Sequence, residues 1–152
     1  MQSKVYLSEI RKLDIAACKA KADLERAEAA ATRTTRLIDG MPHGGRPQDI
    51  ADRIENIHEL RERSIQAELD YINHKLNCID ILAKLENPEY QRVIFKRYVD
   101  YEKGRLYVDQ YKSIKQIAKE MDYSERQTIR ILNAALLAFD EILKAEDGLT
   151  GQ

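Results

Sequence analysis

A chain of 152 residues has room for one domain, or for one small domain on a long stalk. Its 25 basic and 26 acidic side chains leave a net charge of −1, which excludes a strongly basic nucleic-acid binder, so any such affinity must come from where the charges stand. The absence of tryptophan, with 43% hydrophobic and 34% charged residues, suits an all-α protein. No apolar run approaches the roughly 20 residues that span a bilayer. The segment MQSKVYLSEIRKL has no signal-peptide core. The expectation is a cytoplasmic protein with no membrane partner.

From Ser3 to Ile38 the sequence reads as one helix. Alternating steps of three and four place Ile10, Leu13, Ala17, Ala20, Leu24, Ala27, Ala31, Thr34 and Ile38 on a heptad seam. Alanine fills much of that seam, which calls for a closely packed partner. Asp39-Gly40 ends the helix, glycine being the usual left-handed terminator. The connector MPHGGRP reads as a flexible turn. Its glycine pair has neither a GxxxxGK[ST] pattern nor a preceding strand, so it is no phosphate cradle.

Pro47 suits a first helical turn, and a second helix is predicted to run to about Glu86. Its seam is Ile50, Ile54, Ile57, Ile65, Leu69, Ile72, Leu76, Ile79 and Ala83. The eight-residue step from Ile57 to Ile65 is a four-plus-four stutter, which locally unwinds a coiled coil. Residues 1–38 carry a net +3 and residues 39–87 a net −4, so charge favours an antiparallel, coiled-coil-like hairpin over residues 1–86. One hairpin cannot cover both stripes, so a homo-oligomer, dimer or tetramer, is expected from this region.

Asn87-Pro88 restarts the chain as an N-cap followed by proline at the first helical position. The helix that follows, to about Asp100, offers Val93, Ile94 and Tyr98 as a packing face. Six of the eight tyrosines lie between Tyr90 and Tyr123, where packing is the expected role rather than base stacking. Residues 101–112 read as a helix end plus a loop, or as a small hairpin. Then Ser113-x-x-Gln116 and Ser124-x-x-Gln127, eleven residues apart, each spell a capping box. Only Met121-Asp122-Tyr123 separates the two helices they open. Ile114, Ile117, Ala118 and Met121 face inward on the first, and Thr128, Ile131, Ala135 and Phe139 on the second. Ala118 is small where two steeply crossing helices must touch. The pattern predicts a helix-turn-helix within an 87–147 DNA-binding domain, with the last helix reaching about Ala145 and residues 148–152 a disordered tail.

The stretch IAKEMDYSERQTIRILNAAL resembles region 4 of bacterial sigma-70 factors, with Ile117-Ala118, Ser124, Thr128, Ile131 and Ala135-Leu136 on that pattern's marked positions. Asp122 stands where the pattern has its turn glycine. With a long helical first half and the segment NPEYQRVIFKRYVD, the layout resembles the RinA/ArpU-type late transcriptional regulators of phages and prophages. That resemblance implies a sequence-specific DNA-binding regulator of late genes, with double-stranded DNA and RNA polymerase as partners. Two other function classes share the outline: a small terminase-like DNA-packaging subunit, which would assemble as a larger ring, and a sigma-like module that binds RNA polymerase with DNA contact secondary.

With Thr128, Ile131 and Ala135 inward, Glu125, Arg126, Ile129, Arg130 and Asn133 point outward at the start of the last helix. Arginine pairs with guanine, asparagine with adenine, and glutamate accepts from cytosine. Lys112, Lys115 and Lys119 stand nearer the backbone. Ser124 and the amides behind it suit a phosphate, and Gln127 serves either that phosphate or the capping box. Cys18 and Cys78 are too far apart for a CxxC site, and His43, His58 and His74 show no ligand spacing. His58 and His74 are expected on a polar helix face. The expectation is a non-enzyme with no cofactor and no metal.

Overall fold

A computed structural model describes residues 2–39, 47–100 and 111–150, the side chains of residues 34–49 and 150 excepted. The connector at residues 41–46 and most of the 101–112 segment lie outside this set. The described elements are helical, in the order α1 (Gln2–Asp39), α2 (Pro47–Ala83), α3 (Pro88–Ile94), a π-helical turn (Phe95–Val99), α4 (Ile114–Met121) and α5 (Glu125–Thr150).

Helices of 38 and 37 residues reach about 55 Å at the α-helical rise, far longer than the rest of the molecule needs. They lie side by side and antiparallel. Arg61 of α2 meets Glu28 of α1 at 3.2 Å, and Nε2 of His74 donates to the Tyr6 carbonyl at 2.7 Å. The α1 seam turns toward its neighbour as the heptad predicts. Ile10 and Ala17 are buried, and Leu13, Ala20, Leu24, Ala27 and Ala31 are partly so.

The seam assigned to α2 is not the one it uses. Ile50, Ile54, Ile65, Leu69, Ile72, Leu76 and Ile79 are all exposed, between 37% and 63%. The covered face instead follows Ile57, Ser64, Tyr71, Cys78 and Leu85, five positions at steps of seven. The stutter explains the switch. A step of seven returns a side chain to within about 20° of its starting direction, whereas the step of eight from Ile57 to Ile65 overshoots by about 80°. Ile57 therefore parts from the rest of the isoleucine stripe, which points away from α1, and a less conspicuous row holds the hairpin. His74 goes with that row, its ring packed at a tilt against Tyr6 at 4.6 Å between centroids, instead of standing on a polar face. His58 does lie exposed, 3.1 Å from Glu62.

At the open end of the hairpin one core joins everything. Leu7 and Ile10 of α1, Tyr71, Cys78, Ile81 and Leu82 of α2, Val93 and Ile94 of α3 and Leu132, Ala135, Leu136, Phe139 and Leu143 of α5 form a single buried cluster. Asn87 caps α3 through Glu89 N–H at 3.0 Å, with Pro88 at the first position. Asp100 N–H then bonds to Phe95 carbonyl at 2.8 Å, and this wider turn buries the consecutive residues Tyr98 and Val99 while Phe95 stays 43% exposed. The start of α1 is tied down as well. Ser3 N–H, one of the amides a helix start leaves without a partner, donates to the buried Asp140 carboxylate of α5 at 2.5 Å. Helix α5 runs through Gly148 to Thr150, past the stop expected near Ala145.

Candidate nucleic-acid interface

The α4–α5 pair is written into short-range chemistry. Ser113 Oγ accepts from Gln116 N–H at 3.2 Å while the Gln116 side chain accepts from Ser113 N–H at 3.0 Å, so the first box closes on both sides. At the second, Ser124 Oγ accepts from Gln127 N–H at 3.1 Å. That serine half is the only part found among the described residues. Between them the corner turns at Asp122, with φ 57° and ψ 37°, the one positive-φ non-glycine residue among those described. Tyr123 N–H returns to the Ala118 carbonyl at 2.9 Å, closing the last turn of α4. Ile117, Ala118, Thr128 and Ala135 are buried and Ile114, Met121 and Ile131 half-buried, as the spacing predicts. Thr128 satisfies its hydroxyl on the Ser124 carbonyl at 2.9 Å.

Polar contacts fix α4 on the core. Lys112 bonds to Asp100 at 2.8 Å and to Glu120 at 3.0 Å, and Lys96 reaches Glu120 at 2.7 Å. Lys96 and Lys112 together hold the Glu120 carboxyl below the usual glutamate range. Asp100, with Glu120 behind it, raises Lys112. Tyr111 packs edge-on against Tyr98 at 5.6 Å, with the Arg11 and Arg97 guanidiniums 4.8 and 5.4 Å from its ring centre. Arg97 also donates to the Lys112 carbonyl, and Tyr123 OH donates to Glu89 at 2.5 Å. Of these anchoring residues Tyr98, for packing, and Lys112, for a different role, were singled out from sequence; the crowding of tyrosines was the one further sign.

The predicted site residues separate into two groups. Lys115, Lys119, Ser124, Glu125, Arg126, Gln127, Ile129, Arg130 and Asn133 are all exposed. Arg126, Arg130 and Asn133, at i, i+4 and i+7, share one face of α5, with Ile129 beside them at 47% exposure. Lys112 does not join them. Its ammonium is occupied by Asp100 and Glu120, its side chain is only 27% exposed, and it positions α4 instead of reaching outward. Two lysines on α4 and two arginines on α5, against Asp122 and Glu125, leave a modest positive bias.

Comparison of the chain with protein-family models, curated proteins and solved structures finds no match in any of the three. Among the described residues no three His, Cys, Asp or Glu side chains stand together as a metal site. Neither Cys18 nor Cys78 is in a disulfide, and burial pushes the Cys78 thiol up to about 12, which keeps it protonated and unreactive. No described helix is long and apolar enough to cross a membrane.

Proposed function

We propose that the protein is a sequence-specific DNA-binding transcription regulator, of the kind that acts on phage or prophage late genes. In this reading α4 and α5 form a sigma-region-4-like helix-turn-helix. The observation that carries it is the left-handed Asp122 corner between two serine-capped helices, followed by an outward face of Arg126, Arg130 and Asn133. A helix presented N-terminus first, on a rigid corner, is what a major groove admits. Arg126, Arg130 and Asn133 read base edges, with Glu125 and Ile129 beside them. Lys115 and Lys119 hold phosphates, and the start of α5 at Ser124 takes another. Gln127, bound here only through its backbone amide, is available to the same phosphate.

The test separates base reading from backbone holding. Arg130→Ala is expected to cost about 1–3 kcal/mol on the true site and relax preference at one base pair. Lys115→Ala is expected to weaken every duplex alike and to lower the salt slope by about one unit, since released counterions carry no sequence information. Fluorescence anisotropy against specific and scrambled duplexes at several salt concentrations reads both. Equal losses on both duplexes for Arg130→Ala would make it a phosphate contact.

A second reading has an observation of its own. Leu137 is 54% exposed two turns beyond Ile129 on α5, beyond the turns that enter a groove. An exposed leucine there, outside the groove, suits contact with a protein partner such as RNA polymerase. Loss of polymerase binding by Leu137→Asp, with DNA binding intact, would assign it.

A further inference from the structure

The exposed stripe of α2 is too regular to be scattered surface. At about 100° per residue, Ile54, Ile65, Leu69, Ile72, Leu76, Ile79 and Ala83 fall within about 80° of one another. That band lies roughly 130° round the helix from the row that meets α1. Scattered apolar residues need no explanation, but a continuous row at steps of four and three is the pattern of a helix–helix seam. The five residues from Ile65 to Ile79 expose 58%, 46%, 40%, 54% and 37% of their surface, over about 21 Å of helix.

The row has a centre. Ile65 and Ile79 lie seven residues either side of Ile72, and Leu69 and Leu76 lie three and four. We propose that this stripe is the seam of a homodimer, in which α2 of a second copy packs antiparallel with the two-fold axis passing at Ile72. Ile65 then meets Ile79 of the second copy, Leu69 meets Leu76, and Ile72 meets itself.

Charge selects the antiparallel arrangement. Beyond Ile79 the stripe runs into a groove that Ala83, Arg92, Phe95 and Lys96 line together with Ile79. Toward the other end of the stripe, next to Ile65, stand Glu59 and Glu62, with Arg63 beside them. An antiparallel copy brings Glu59 and Glu62 toward Arg92, twice over, and closes Phe95 over the seam's end, while Lys96 stays on Glu120. A parallel copy would set Arg92 and Phe95 against themselves. Like charges facing at an interface are a penalty that opposite charges are not. The proposal rests on α2, α3 and the π-helical turn, so it stands or falls separately from the reading of α4 and α5.

Light scattering is expected to give about twice the 17.6 kDa chain mass at micromolar concentration. Ile72→Asp is expected to return the mass to 17.6 kDa with its helical circular dichroism and cooperative melt retained, because the position is open in a single chain. Direction is read by cross-linking in a Cys18→Ser background, where buried Cys78 stays unreactive. Ile65→Cys mixed with Ile79→Cys is expected to couple through a short bis-maleimide, while neither couples to itself. A monomeric wild type, an Ile72→Asp chain that keeps the wild-type mass, or Ile65→Cys coupling to itself would each overturn the proposal.

Discussion

Asp122 is the residue on which the α4–α5 corner turns, and it holds a conformation that L side chains disfavour. Aspartate tolerates left-handed angles better than most because its short carboxylate can bond locally, but its Cβ still crowds the following carbonyl. Glycine has no Cβ to crowd. Asp122→Gly is therefore expected to stabilise the fold by about 0.5–1 kcal/mol, partly offset by the freer unfolded chain. Urea denaturation checks it, and a loss of stability would mean that the aspartate carboxylate contributes more than the backbone strain costs. The corner also shows how local the legible chemistry is. Both serines, the connector and the inward faces of α4 and α5 follow from spacing alone, because capping and helical periodicity need only neighbours in sequence.

Helix α4 is two turns long, too short to hold itself, and its place depends on the Lys96–Glu120–Lys112–Asp100 chain of ion pairs. Glu120 has a folded pKa below its ordinary 4.5, so the unfolded chain takes up the proton first as pH falls. Its contribution is complete above 4.5 and is lost as the pH falls through the lower, folded value. Lys112 behaves in the opposite sense, its share present below its ordinary 10.5 and lost as pH rises through the raised value. Glu120→Gln is expected to flatten the acid side of the stability profile while leaving the neutral plateau slightly lower. Urea midpoints across the acid range test this. These pairs were not legible in the sequence, since they join residues 8 to 24 positions apart through tertiary contact. The same limit explains the α2 seam. Periodicity identified an apolar stripe correctly but could not say which of two faces meets α1. The face in use includes Ser64, Tyr71 and Cys78, whose small or polar character hides it from a search for isoleucine and leucine.

For the whole molecule, the hairpin and the C-terminal helices share one core, because α1 begins against α5. Leu7 and Ile10 are fully buried in a cluster that also needs Leu132, Leu136 and Phe139, and Ser3 N–H is 137 positions from the Asp140 that accepts from it. That separation has a consequence for synthesis. When α1 leaves the ribosome, its apolar end has no cover, and the cover that α2 gives stays incomplete until α5 has emerged. Contacts this distant in sequence are slow to form, and the uncovered surface is open to proteases and to other chains meanwhile. A nascent chain stalled after Ser124 is expected to be cut readily beside Arg11 and Lys12, and one stalled with residues through Leu143 outside the tunnel to be protected there. Pulse proteolysis of arrested chains compares the two, and equal protection in both would show that α1 and α2 cover Leu7 and Ile10 unaided. The turns of α1 are thus made well before they can be finished.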